Sequence, residues 1–150
     1  MQMKMSCVMR SLFFVCFLIP SALSQSTSAT FGEIVRLGGT PSDAILDEAR
    51  GRIYLINQNA NRVDVYSTVD KRVVQNIAVG STPLAGAMSM EGDYLYVTNS
   101  GSSSMSVIDL RVGFVSQTVS LSAVPEGVEV GSDGRVLITT QGTSATDQIN

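Results

Sequence analysis

Histidine and tryptophan are absent from the 150 residues of this chain. Without an imidazole there is no Ser-His-Asp or Cys-His dyad, no histidine-ligated zinc or haem, and no histidine switch near neutral pH. Cysteine is nearly as scarce, with Cys7 and Cys16 the only two, both close to the N-terminus. Charge is sparse as well. Lys and Arg number 10 against 13 Asp and Glu, a formal net charge of −3. Such a chain presents no basic field to a phosphate backbone, so nucleic acid is not expected as a partner. Charged residues at 15% beside a hydrophobic fraction of 44% also exclude a long disordered polymer. The length suits one domain, or part of one, with a moderate core.

Residues 1–24 read as a secretory signal peptide. Lys4 and Arg10 supply a positive leading region, residues 12–19 form an unbroken apolar run, and Pro20 ends it. Ala22 and Ser24 then place small residues at the −3 and −1 positions of a cut before Gln25. Eight residues at about 1.5 Å rise span roughly 12 Å, far short of a hydrocarbon core of about 30 Å, so the run is too short for a membrane anchor. No small-residue box precedes Cys16, as a lipoprotein would need. Cleavage removes both cysteines, so the mature chain has neither disulfide nor thiolate. It leaves 8 basic against 13 acidic residues, a net of −5, and no Asn-x-Ser/Thr sequon. The expected location is secreted, periplasmic or cell surface, with no transmembrane segment after cleavage.

The remainder repeats. Pro41, Pro83 and Pro125 stand 42 residues apart in similar settings. The same offset, without a gap, aligns Ile53-Tyr54-Leu55-Ile56-Asn57 with Leu95-Tyr96-Val97-Thr98-Asn99 and with Leu137-Ile138-Thr139-Thr140-Gln141. It also aligns Val63-Asp64-Val65-Tyr66 with Met105-Ser106-Val107-Ile108. In the first copy, β-branched and aromatic runs at 43–47, 52–57, 62–66 and 73–79 are separated by Gly-, Asn- and Asp-bearing turns. Four strands per roughly 40–50 residues is the period of a β-propeller blade. The expected fold is therefore all-β, with blades of four antiparallel strands and repeats near 41–82, 83–124 and 125–150. Residues 30–38 align with the last strand of a blade and are expected as an outer strand of a preceding or closing one. About three blades make an incomplete propeller, since closed rings take four to eight. Truncation of a longer protein or self-association of two arcs would resolve this. Alternation puts Val63, Val65, Met105 and Val107 on one face of their strands, and Ile53, Leu55, Leu95 and Val97 between adjacent blades.

Leu95-Tyr96-Val97-Thr98-Asn99, followed by Val107-Ile108-Asp109, resembles the YVTN-repeat class of β-propellers found in secreted and surface-layer proteins. Ser132-Asp133-Gly134 is similar to that class's turn between the first and second strands, and Val79-Gly80-Ser81-Thr82-Pro83 to its blade-to-blade joint. The third copy is the most degenerate. The resemblance implies a fold and a secreted setting; for function it implies only a class of binders, scaffolds and some enzymes.

The chemistry in the sequence is thin. Asn57, Asn99 and Gln141 close the second strand of each copy, either as a ring of amides or as caps on turn backbone. Asn57, Asn59 and Asn61 have the first spacings of a calcium loop but lack its carboxylates, its glycine and its distal glutamate, so no metal is expected. Asp47, Glu48, Glu91, Asp93 and Asp133 fall in or beside turns, where a carboxylate is expected to be solvated. Asp43, Glu126 and Glu129 start first strands, beside a propeller's channel. Gly101-Ser102-Ser103-Ser104 is no nucleophile elbow, and no phosphate-cradling loop is present. The expected function is a secreted non-catalytic repeat module for ligand or protein binding or scaffolding, without cofactor. The ligand site is placed at Asp43, Asn57, Asn99 and Glu126. The competing readings are a lactonase-like hydrolase using carboxylates and a cation, and a purely structural envelope repeat. The partner is an unknown protein or small ligand.

Overall fold

Each repeat proline opens a strand, the position where its missing N–H is tolerated in a sheet. In a computed structural model that describes residues 34–142, the strands are β1 (Pro41–Asp47), β2 (Arg52–Asn57), β3 (Arg62–Ser67), β4 (Arg72–Ala78), β5 (Pro83–Met88), β6 (Tyr94–Asn99), β7 (Ser104–Asp109), β8 (Phe114–Ser120), β9 (Pro125–Val130) and β10 (Val136–Thr140). They form antiparallel sheets β1-β2-β3-β4 and β5-β6-β7-β8 and a two-stranded sheet of β9 and β10. Among the described residues no helix is long and apolar enough to cross a membrane. The leader 1–24, the rest of the expected outer strand at 30–33, and the third strand of copy three lie outside the described residues.

The first strands of the sheets lie side by side. Ser42 Oγ donates to Pro83 O at 3.3 Å, Gly86 N to Asp43 Oδ2 at 3.0 Å, and Thr98 Oγ1 to Glu126 O at 3.1 Å. The second and third strands are joined by a 3₁₀ turn that ends on a left-handed residue, Asn61 at φ 52° and Ser103 at φ 43°. These are the same repeat position, and in both the residue's N–H closes the turn on the carbonyl three residues back.

Alternation decides the core. Tyr54 and Ile56, with Val63, Val65 and Ile77, cluster with Leu95, Val97, Ile108 and Leu110 between the two complete sheets. Ile56, Val63, Leu95, Val97 and Ile108 have no exposed surface. Each contributes about 1.5–3 kcal/mol by burial. Leu95 and Val97 therefore pack between blades as the alternation requires. Ile53 does not join this cluster and is half-buried, because in β2 the odd positions lie on the face opposite Tyr54 and Ile56. Gly86 is needed where the sheets approach most closely, since a Cβ there would meet Ile45 Cδ1 at 2.8 Å and Ile56 Cδ1 at 3.1 Å.

Residues 34–37 are not in a strand, and among the described residues no sheet offers them a ladder partner. One expectation is corrected. The gap-free offset of 42 fails in the third copy. Pro41 pairs with Asn57 and Pro83 with Asn99, but Pro125 pairs with Thr140 rather than Gln141. The cause is the hairpin turn. Gly131 N donates to Arg135 O across three residues, whereas Ser89 N donates to Tyr94 O across four. Val136, not Leu137, is thus the counterpart of Leu95, and Gln141 falls just beyond β10. Thr139 then matches Thr98, and both hydroxyls accept from the first strand, from Gly127 N at 2.8 Å and Ala85 N at 3.2 Å.

Candidate functional site

The amides that close β2 and β6 point inward. Asn57 is fully buried. Its Nδ2 donates to Gly38 O and to Asp64 Oδ2, both at 2.8 Å, and its Oδ1 accepts from Thr40 N at 3.3 Å. A side chain at Gly39, which has φ 96°, would overlap this amide, so the loop before β1 is cut to fit it. Asp64 Oδ1 takes Arg62 Nε at 2.6 Å and, in the amide orientation that satisfies both groups, the Asn76 nitrogen at 2.7 Å. Asn99 is equally buried and donates to Ser104 Oγ at 3.2 Å and Ser106 Oγ at 3.0 Å. Its Oδ1 has no partner. The donor that would correspond to Thr40 N is Thr82 N, which is spent on Asn61 Oδ1 at 2.8 Å across the blade joint. Asn57 thus ties the segment before β1 to the sheet beneath it, whereas Asn99 ties β6 to β7 within its own sheet.

Asp43 is half-buried, its Oδ1 accepting from Ala44 N at 2.8 Å and its Oδ2 from Gly86 N at 3.0 Å. Glu126 is exposed, and its backbone carbonyl, not its carboxylate, holds Thr98. No hydrogen bond joins any two of Asp43, Asn57, Asn99 and Glu126. Gln141, the third amide expected in the ring, contributes its backbone N–H to Val124 O. Glu129 is exposed on β9.

The turn carboxylates differ from one another. Asp47 was expected in solvent but is 2% exposed, because β1 carries it under the sheet edge, where Arg50 Nη1 at 3.0 Å, Arg50 N at 3.1 Å and the Tyr54 hydroxyl at 3.3 Å hold it. Burial, and then the Asp47 charge, push the Tyr54 phenol up to about 12. Asp109 accepts from Arg111 Nη2 at 2.7 Å and Nε at 3.0 Å, and this pairing lowers its carboxyl to about 2. Asp93 lies between Arg50 Nη2 at 3.6 Å and Arg111 Nη1 at 4.0 Å. Among the described residues no three carboxylates, cysteines or histidines converge as a cation would need.

These arginines border a feature that the sequence reading missed. A cleft of about 470 Å³ opens between the two complete sheets, with Arg50, Arg52, Tyr54 and Gln75 on one side and Arg111 on the other. Gln75 Nε2 donates to Gly113 O at 2.8 Å and bridges it. Arg52 Nη1 is buried there without a partner. A signal did exist: one period away from Arg50 and Arg111 stand Gly92 and Val69, so these two depart from the repeat, while Arg52 gives way to Tyr94 in the second copy and returns as Arg135 in the register of the third.

No protein-family model and no curated protein matches this chain. Solved structures do. The Cps50 (Swd1) β-propeller domain of Myceliophteria thermophila superposes with a TM-score of 0.61 at 14% identity, over 71% of this chain and 34% of that one. The fold is that of a β-propeller. Kuenenia stuttgartiensis hydrazine synthase matches with a TM-score of 0.64 at 24% identity, over 74% of this chain and 33% of that one. Virginiamycin B lyase from Staphylococcus aureus matches with a TM-score of 0.59 at 15% identity, over 67% and 34%. The chain spans about a third of the length of each of these matched chains. Their names cover a synthase, a lyase and a β-propeller domain, so the shared blades carry architecture and no single activity.

Proposed function

We propose that this chain is a secreted, non-catalytic β-propeller module of the YVTN-repeat class, serving ligand or protein binding within a longer protein. One observation carries the reading: the carboxylates best placed for chemistry are already committed to contacts within and between blades. Asp43 binds Gly86 N, Asp47 binds Arg50 and Tyr54, Asp64 binds Asn57 and Arg62, and Asp109 binds Arg111. A hydrolase of the lactonase kind needs carboxylates free to ligate a cation or to move a proton. The layout of residues 1–24 supports export, with a mature start at Gln25. The exposed carboxylate of Glu126 and the ends of the first strands remain the place for contact on the joint face.

The test expresses the whole chain with its leader and recovers it from outside the cytoplasm, where its intact mass should begin at Gln25. That material should show saturable, ligand-dependent rises in melting temperature without turnover. Hydrolysis of lactones or esters in the presence of added calcium would overturn the non-catalytic reading, and a mass that includes Met1 would overturn export by cleavage.

A further inference from the structure

We propose that the cleft between the first two blades binds a small organic oxyanion, a carboxylate or phosphate on a compact apolar body, with Arg52 as the anchoring cation. Arg52 begins β2 and pairs with Asp47 on one side and Ser67 on the other. Alternation turns it to the same face as Tyr54 and Ile56, toward the second blade. Arg52 is half-buried, and one nitrogen of its guanidinium, Nη1, is covered without an acceptor, an unmade hydrogen bond that is costly. Its neighbours do not suffer this. Arg50 reaches Asp47, Asp93 and the carbonyl of Gly92, and Arg111 clasps Asp109. Asp47 is the nearest candidate counter-charge to Arg52, since it stands directly opposite on β1, yet its oxygens turn to Arg50 and Tyr54. The cleft therefore has one cation without an anion inside it.

The blade does not require an arginine at this position, although Arg135 holds it in the third copy. The corresponding residue of the second blade is Tyr94, whose hydroxyl accepts from Arg111 Nη2 at 3.2 Å while the guanidinium lies 5.5 Å from its ring. The volume of about 470 Å³ falls within the range of small-ligand sites, about 300–1,000 Å³. Val65, Ile77 and Leu110 line it, so an apolar body beside the anionic group is accommodated. Arg presents paired N–H groups to carboxylate and phosphate alike, so both chemistries fit one anchor.

This inference deepens the binding reading by naming a ligand class, and its failure is separable from the failure of that reading. The probes are benzoate, phenyl phosphate, inorganic phosphate and the neutral benzyl alcohol, titrated into the full chain and followed by calorimetry and by tyrosine emission, since Tyr54 lines the cleft. Benzoate or phenyl phosphate should saturate and bind at least about tenfold tighter than benzyl alcohol, as a charge-assisted pair implies. Arg52→Gln should weaken the anionic probes at least about tenfold, and Arg135→Gln, with its side chain 89% exposed in a separate turn, should not. In probe-free buffer Arg52→Gln should leave the unfolding midpoint unchanged or raise it, because it removes a covered donor that has no acceptor. Phenyl phosphate should raise the midpoint of the wild-type chain and not that of the variant. Equal binding of neutral and anionic probes, an unchanged affinity in Arg52→Gln, or no saturation by any oxyanion would overturn the proposal. If a ligand of another class bound in those experiments, the module's binding role would stand and the oxyanion cleft would fall.

Discussion

Leu95 and Leu137 lie 42 residues apart, and a gap-free repeat would give them the same place in successive blades. The three-residue turn of the β9–β10 hairpin separates them. Leu95 has no exposed surface and packs in the cluster between the first two sheets, paired in register with Ile108. Leu137 is 49% exposed and occupies the position of Tyr96. Truncating Leu95 to alanine removes three carbons, a transfer loss of about 2.4 kcal/mol at about 0.8 per methylene. An incompletely relaxed cavity adds to this, so Leu95→Ala should cost roughly 3–4 kcal/mol, within the usual range for buried leucine. Leu137→Ala loses about half of the transfer term and leaves no enclosed cavity, so it should cost about 1 kcal/mol or less. Urea unfolding of the full chain, followed by far-ultraviolet circular dichroism with equal m-values, measures both. Equal costs, or a larger one for Leu137, would restore the gap-free register and refute the shortened turn.

Tyr54 makes stability depend on pH at the alkaline end. Its folded phenol keeps its proton to about pH 12 while the unfolded one loses it near 10, so the stability it contributes is complete below pH 10 and is lost as pH rises toward 12. The decline should total on the order of 2 kcal/mol, and Tyr54→Phe should flatten it; an identical slope in the variant would assign the loss elsewhere. Asn57→Ala should destabilise by roughly 2–4 kcal/mol, more than Asn99→Ala, because it strips a donor from the buried Asp64 carboxylate whereas Asn99 serves only hydroxyls. Reversal of that order in denaturant titrations would count against the network.

Much of the fold could be read from local chemistry. The prolines mark first strands because a strand's opening residue needs no N–H, and runs such as Arg62-Val63-Asp64-Val65-Tyr66 alternate because one sheet face is buried. The register of the third copy was not readable by offset alone, since Ser132-Asp133-Gly134 closes a turn one residue shorter and the degenerate Thr139-Thr140-Gln141 offers no amide to expose the slip. Asp47 was misjudged for a related reason: it abuts a turn in sequence but ends a strand in space, and its burial depends on Arg50 and Tyr54 meeting it. The asparagines read correctly as repeat features, yet their partners lie 17 to 19 residues back along the chain or on the neighbouring strand, not in their own turn.

In a repeat fold the positions that recur carry the architecture, and those that break the period are free to carry something else. Thr98 and Thr139 recur in place and do the same work, each accepting a first-strand N–H. Asn57 and Asn99 recur and bind the neighbouring third strand, even though their partners there diverge from Asp64 to Ser106. Arg50 and Arg111 do not recur, Arg52 returns only in the third copy as Arg135, and the turns at Arg50 and Arg111 meet across the interface of two blades, a junction no single-copy reading brings together. Two of the three explain themselves by binding Asp47, Asp93 and Asp109, and removing either would leave a carboxylate short of a partner. Arg52 alone among them meets no acceptor. An unpaired guanidinium nitrogen at the wall of a cleft, at a position where the fold accepts tyrosine in the next copy, is the feature that a bound oxyanion would explain.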